Sequence, residues 1–154
     1  MDKNKKRSFY KDRIQAEFQL SEEQQIELVE LQDIALLKAY QKTHWISEAA
    51  EIRLIELGNK RFFKAYIKDN FLSDAAEIYL IDKGLKSLFK IYIKRYWLSD
   101  DIESYLIEKA NVKIFKAYLT EYCLSAAAEQ KLKKCENQQL IKIYQKECPH
   151  RILR

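Results

Sequence analysis

Glycine and proline are almost missing from this sequence, at two and one residues in 154, against average usage of about 7% and 5%. Sheets with many turns depend on those residues, so the scarcity argues against an all-β fold and for helices. No apolar run approaches the roughly 20 residues of a membrane-spanning helix, so no membrane partner is expected. The opening stretch MDKNKKRSFYKDR is charged, with no apolar stretch behind it. On that reading there is no cleavable secretory signal and the cytoplasm is the expected location. The three cysteines, Cys123, Cys135 and Cys148, are odd in number and confined to the last third. That pattern does not suggest a disulfide framework, and reduced thiols used mostly for packing are expected. With only two histidines, His44 and His150, and no phosphate-binding glycine loop, nucleophile elbow or paired-cysteine zinc spacing, neither catalytic residues nor a metal or cofactor is expected.

What the sequence does have is an internal repeat. Apolar residues make up 47% and charged residues 33%, which suits one folded domain over residues 1–154. Leu/Ile-Ser recurs at Leu20-Ser21, Ile46-Ser47, Leu72-Ser73, Leu98-Ser99 and Leu124-Ser125, always 26 residues apart. Repeats of 20–45 residues are the mark of stacked architectures. The five copies span residues 20–45, 46–71, 72–97, 98–123 and 124–149, with 150–154 as a tail expected to fray. Upstream, SFYKDRIQAEF loosely echoes RFFKAYIKDNF of copy two, so residues 8–19 read as a capping half-repeat.

Each copy has room for two short helices. The Ser is a good N-cap, and an acidic residue follows it in four copies, where the helix dipole favours negative charge. Helix A is expected to run about ten residues and to end near Gln32, Gly58, Gly84, Ala110 and Glu136; glycine at two of these suits a left-handed C-cap. Asp33, Asn59, Asn111 and Asn137 then cap helix B, with Leu85 the exception. Helix B is expected to continue to the residue before the next Leu/Ile-Ser, which makes Trp45, Phe71, Trp97 and Cys123 packing residues between copies. In copy three, LFKIYIKRYW half-alternates like an edge strand, but helical spacing places Leu88, Tyr92 and Tyr96 on one ridge with Lys90 and Lys94 opposite. Short helices of this kind are marginal alone and gain their core by stacking, so the expected fold is an all-α, αα-hairpin solenoid of five repeats with an N-terminal capping helix. Lys131, Lys133 and Lys134 make copy five a polar terminal cap.

At SDAAEIYLIDKGLKSLFKIYIKRYW the chain resembles the broad class of short α-helical solenoid repeats in bacterial proteins. The resemblance covers Leu20 to about Pro149. The period is shorter than that of tetratricopeptide, ankyrin or HEAT units, whose signature residues are missing. It implies a binding scaffold and nothing catalytic.

Two sets of positions carry candidate functions. Lys38, Lys64, Lys90, Lys116 and Lys142 should project about 140° from the apolar ridge of helix B. Lys42, Lys68, Lys94 and Lys146 form a second row four residues on, broken by Thr120. Helix A segments are net acidic and helix B segments net basic, so the overall charge of +5 conceals two opposite surfaces. A basic surface of this kind steers an acidic protein or peptide. Nucleic acid is the second candidate, because packed helices about 8–10 Å apart do not match the closer spacing of phosphates. An inhibitor or immunity-type role against a toxin or host enzyme uses the same surface and is not distinguishable from the first. The second set is structural: Tyr40, Tyr66, Tyr92, Tyr118 and Tyr144 lie on the apolar ridge of helix B, and Gln25, Glu51, Glu77, Glu103 and Glu129 lie inside the apolar stripe of helix A. A buried carboxylate is costly without partners, so a ladder of tyrosine-hydroxyl to Glu/Gln bonds is expected.

Overall fold

The structure, a computed structural model, describes residues 1–151. Among these the chain is all-α, with eleven helices and no strand. It divides into two compact units, Met1–Ala76 and Glu77–Arg154. The first holds α1 (Lys3–Gln15), α2 (Glu22–Glu30), α3 (Ile34–Gln41), α4 (Glu48–Glu56), α5 (Lys60–Ile67) and the start of α6 (Asp74–Asp82). The second holds the rest of α6, then α7 (Lys86–Ile93), α8 (Asp100–Lys109), α9 (Val112–Leu119), α10 (Ala126–Lys134) and α11 (Gln138–Glu147). In the first unit α2 packs on α4, while α1 packs on α3 and α3 on α5. In the second, α8 packs on α10, while α7 packs on α9 and α9 on α11. Each unit is thus a layer of A helices against a layer of B helices, with α1 in the B layer.

Local chemistry sets the helix boundaries. The hydroxyls of Ser21, Ser47, Ser99 and Ser125 accept from the amides of Gln24, Ala50, Ile102 and Ala128. Gln24 also reaches back to the Ser21 amide, completing a capping box in copy one alone. The side chains of Asp33, Asn59, Asn111 and Asn137 cap the B helices in the same way, whereas Leu85 makes no side-chain cap bond.

Every A helix ends on a left-handed residue. The two glycines, Gly58 and Gly84, sit at φ 66° and 61°, and Gln32, Ala110 and Glu136 at φ 52°, 52° and 53°. The tight link from helix A to the cap of helix B demands this conformation whatever the side chain, and a non-glycine residue there costs about 1 kcal/mol.

The B helices stop earlier than the apolar pattern suggests, at Gln41, Ile67, Ile93 and Leu119. The carbonyl of the ladder tyrosine closes the turn: Tyr40 accepts from Thr43 and His44, Tyr92 from Arg95 and Tyr96, and Tyr118 from Glu121 and Tyr122. The residues beyond are loop, and Trp45, Phe71 and Trp97 are 77%, 68% and 73% exposed. The expectation that they pack between copies is therefore wrong. The residues beside them in sequence, Ile46, Leu72 and Leu98, are the ones buried, together with Leu20 and Leu124. In the cores of the units, Leu28, Leu54, Leu80, Leu106 and Leu132 are all but inaccessible.

The cysteine expectation fails as well. Cys123 and Cys148 form a disulfide with Cα atoms 6.0 Å apart, and Cys135 is free but exposed. Because α11 packs on α9, the turn after α9 meets the end of α11, and two residues 25 apart in sequence become neighbours. Of the tail expected to fray, Arg151 is held by hydrogen bonds to Glu129 and Leu124; residues 152–154 lie outside the described residues.

Ala110→Gly relieves the left-handed strain and is expected to raise unfolding stability by about 1 kcal/mol. Gly58→Ala should lower it by a similar amount although nothing lies within 4 Å of the added methyl group. Urea denaturation midpoints measure both, and opposite signs identify the backbone as the cause.

Candidate partner-binding surface and its buried support

The buried polar positions of helix A do two jobs at once. Tyr66 donates its hydroxyl to Glu51 Oε1 at 2.6 Å, and the other carboxylate oxygen accepts the backbone amide of Ser73, at the start of the next copy, at 2.9 Å. Glu103 repeats this with Tyr118 at 2.6 Å and Ser125 at 2.9 Å. Tyr92 donates to Glu77 at 2.6 Å. Glu51, Glu77 and Glu103 are all buried, at 5%, 6% and 3% exposure. Tyr118 also accepts from the amide of Leu98, and Tyr40 from that of Leu20.

The ends of the ladder differ for chemical reasons. In copy one the amide of Gln25 has a single oxygen, and it accepts from Ser47 at 2.6 Å. Its nitrogen donates to the Leu20 carbonyl at 3.0 Å, so Tyr40 and Gln25 are joined through Leu20 and not directly. In copy five, Glu129 accepts from Tyr144 at 2.5 Å, and the Arg151 guanidinium, at 2.8 Å, supplies its second donor. At the other end Tyr10 of α1 donates to Glu27, a residue outside the ladder, at 2.8 Å.

Titration follows this geometry. Burial first, and then the hydrogen bond to Glu129, pushes the Tyr144 hydroxyl up to about 12. Tyr118, buried and bonded to Glu103, is raised further. Burial pushes the Glu129 carboxyl upward, but donation from Tyr144 and Arg151 outweighs it and holds its pKa below the usual carboxylate value. With both oxygens of Glu51 and Glu103 engaged, these carboxylates act as structural acceptors.

The lysines lie on the outside. Lys38, Lys64, Lys90, Lys116 and Lys142 are exposed, as are Lys42, Lys68, Lys94 and Lys146. On the A helices three ion pairs join successive copies: Arg53 bonds Glu30 at 2.9 Å, Lys109 pairs with Asp82 at 3.4 Å, and Lys131 pairs with Glu108. On the B helices Lys38 pairs with Asp69 at 3.5 Å. Lys64, Lys90, Lys116 and Lys142 have no ion-pair partner among the described residues. In the second unit, Lys90, Lys116 and Lys142 occupy equivalent positions on three B helices packed in sequence.

Periodicity reasoning missed the exposed aromatics, because apolar spacing continues past the last helical turn and gives no sign of where the helix stops. The signal available was their immediate precedence to the Leu/Ile-Ser cap, which requires a chain reversal. Among the described residues no group of three or more His, Cys, Asp or Glu side chains is placed to hold a metal ion, and no helix is long and apolar enough to cross a membrane. No protein family, curated protein or solved structure matches this chain.

In a double-mutant cycle, Glu103→Ala and Tyr118→Phe are expected to show a coupling of about 1.5 kcal/mol, the scale of a hydrogen bond to a charged group; additive losses would deny the bond its role. A raised tyrosine pKa stabilises the fold fully below the unfolded value of about 10, and that contribution is lost as pH rises toward the folded value. Thermal melts should therefore fall more steeply between pH 10 and about 12 for the native protein than for Tyr144→Phe.

Proposed function

We propose that the five copies form an αα-hairpin solenoid that acts as a non-catalytic interaction scaffold, presenting the lysine rows of the B helices to an acidic protein or peptide. The observation that carries this reading is the asymmetry of ion pairing. Arg53, Lys109 and Lys131 on the A helices each pair with an acid of the preceding copy, whereas Lys64, Lys90, Lys116 and Lys142 are exposed without an ion-pair partner among the described residues. Like charges left unneutralised on neighbouring elements repel, and an acidic partner removes that repulsion while gaining speed of encounter from the field. An inhibitor or immunity-type role uses the same surface. The cytoplasmic setting expected from the sequence is at odds with the Cys123–Cys148 disulfide, since a reducing compartment keeps such a pair as thiols.

Replacing Lys64, Lys90 and Lys116 together by Glu should weaken binding of a fluorescein-labelled oligo-glutamate by more than about tenfold, roughly the effect of losing 1.4 kcal/mol, with helicity by circular dichroism unchanged. Unaltered anisotropy titrations would overturn the reading. Tighter binding of a single-stranded oligonucleotide, with steep loss in salt, would move the assignment to nucleic acid.

A further inference from the structure

The disulfide of the second unit has a histidine beside it. Cys123, in the turn after α9, is bonded to Cys148, the residue that ends α11, and His150 Nε2 lies 3.7 Å from Cys123 Sγ. The two sulfurs differ in access. Cys148 is fully buried, whereas Cys123 is half-buried and lines an open groove of about 330 Å³ beside the exposed ring of Trp97. A small solute therefore reaches Cys123 and not Cys148. The third cysteine, Cys135, is exposed at the end of α10, with its thiol donating to the Leu132 carbonyl at 3.0 Å.

A thiol reacts as its thiolate, and a histidine cation against the sulfur favours that form. The other charged and titratable groups around Cys123 come from three helices and its own turn. Asp100 and Glu103 of α8 line the same groove; Glu103 is held by Tyr118 and Ser125, while Asp100, exposed in the first turn of α8, opposes a thiolate. Glu121 and Tyr122 precede Cys123 in the turn, and burial raises the Tyr122 hydroxyl, which keeps it neutral. Glu147 precedes Cys148 in α11. Arg151 is engaged by Glu129 of α10 and by the Leu124 carbonyl. Among the described residues only His150 bonds the sulfur of Cys123 outside the disulfide itself.

We propose that Cys123 and Cys148 are a reversible, peroxide-reactive thiol pair, with Cys123 the attacking thiolate, His150 the cation that stabilises it and Cys148 the resolving thiol. In the reduced protein Cys123 Sγ attacks one oxygen of hydrogen peroxide; the S–O bond forms, the O–O bond breaks, and the departing hydroxide takes a proton and leaves as water. Cys148 Sγ, giving up its proton, then attacks the Cys123 sulfenic acid; the S–S bond forms, the S–O bond breaks, and a second water leaves. The two sulfurs lose two electrons and peroxide gains them. Two molecules of a low-molecular-weight thiol reverse the step. The first attacks Cys123 Sγ and displaces Cys148, and the second attacks the mixed disulfide, frees Cys123 and departs as the small disulfide. The pair is thus dithiol in a reducing compartment and disulfide under oxidant. It does not depend on the lysine surface.

The full chain, reduced with dithiothreitol and desalted, is treated with equimolar hydrogen peroxide at about pH 7 and sampled by maleimide labelling and mass spectrometry. Cys123 should lose its thiol more than about tenfold faster than Cys135 of the same chain, although Cys135 is the more exposed, and the product should be the Cys123–Cys148 disulfide. This comparison uses the native chain and needs no variant. Cys148→Ser should halt the reaction at a Cys123 sulfenic acid, trapped by dimedone. His150→Gln should slow the loss of the Cys123 thiol about tenfold near pH 7 and match the native rate near pH 10, where a thiol ionises without help; equal slowing at both would deny His150 its electrostatic part. Equal rates for Cys123 and Cys135, or a disulfide that excess glutathione does not open, would overturn the pair and make the bond a permanent clasp.

Discussion

A carboxylate inside a helical layer must be satisfied on both oxygens, and in Glu51 and Glu103 the two bonds run in different directions along the chain. One goes to a tyrosine in helix B of the same copy and closes the hairpin; the other goes to the serine amide that starts helix A of the next copy. A single side chain thereby fixes the angle within a copy and the register between copies. Apolar side chains alone tolerate sliding and repacking, but a charge with two committed donors does not, because any slip leaves it buried and unpaired at a cost of several kcal/mol. The same amide would otherwise be one of the unsatisfied donors at a helix start, so the bond serves the cap as well as the core.

That constraint explains which parts of the structure could be read from the sequence. Serine caps, asparagine caps and the Leu rows repeat every 26 residues, and each has a local physical meaning that needs no tertiary knowledge. Glu51, Glu77 and Glu103 stood out because a carboxylate in an apolar stripe requires a donor, and the tyrosine of the same copy is where the structure provides one. The ends of helix B were not legible: Trp45 and Trp97 keep the apolar spacing going after the backbone has turned, and only the tyrosine carbonyl marks the stop. The disulfide was hidden for another reason. Cys123 and Cys148 are adjacent only once α11 lies on α9, a fact of stacking with no local signature. Gln32, Ala110 and Glu136 show the converse, in which geometry imposed by the repeat overrides residue preference.

The division of labour between the two helix rows follows from the same plan. Helix A contributes the buried carboxylates and three ion pairs that join successive copies. Helix B contributes the tyrosines inward and the lysines outward, with the turn beyond it left over. The outer face of helix B carries the exposed lysines, and the turn that follows it carries the exposed aromatics.

Copy five is held differently from copies two and four, in two ways. Arg151 and Tyr144 both donate to Oε1 of Glu129, and the disulfide ties the turn of copy four to the end of α11. Short helices linked by turns open locally, and each opening gives a protease an entry point. A clasp at that position means that a cut within α10 or α11 leaves the severed piece tethered, so that a nick does not become the loss of a repeat.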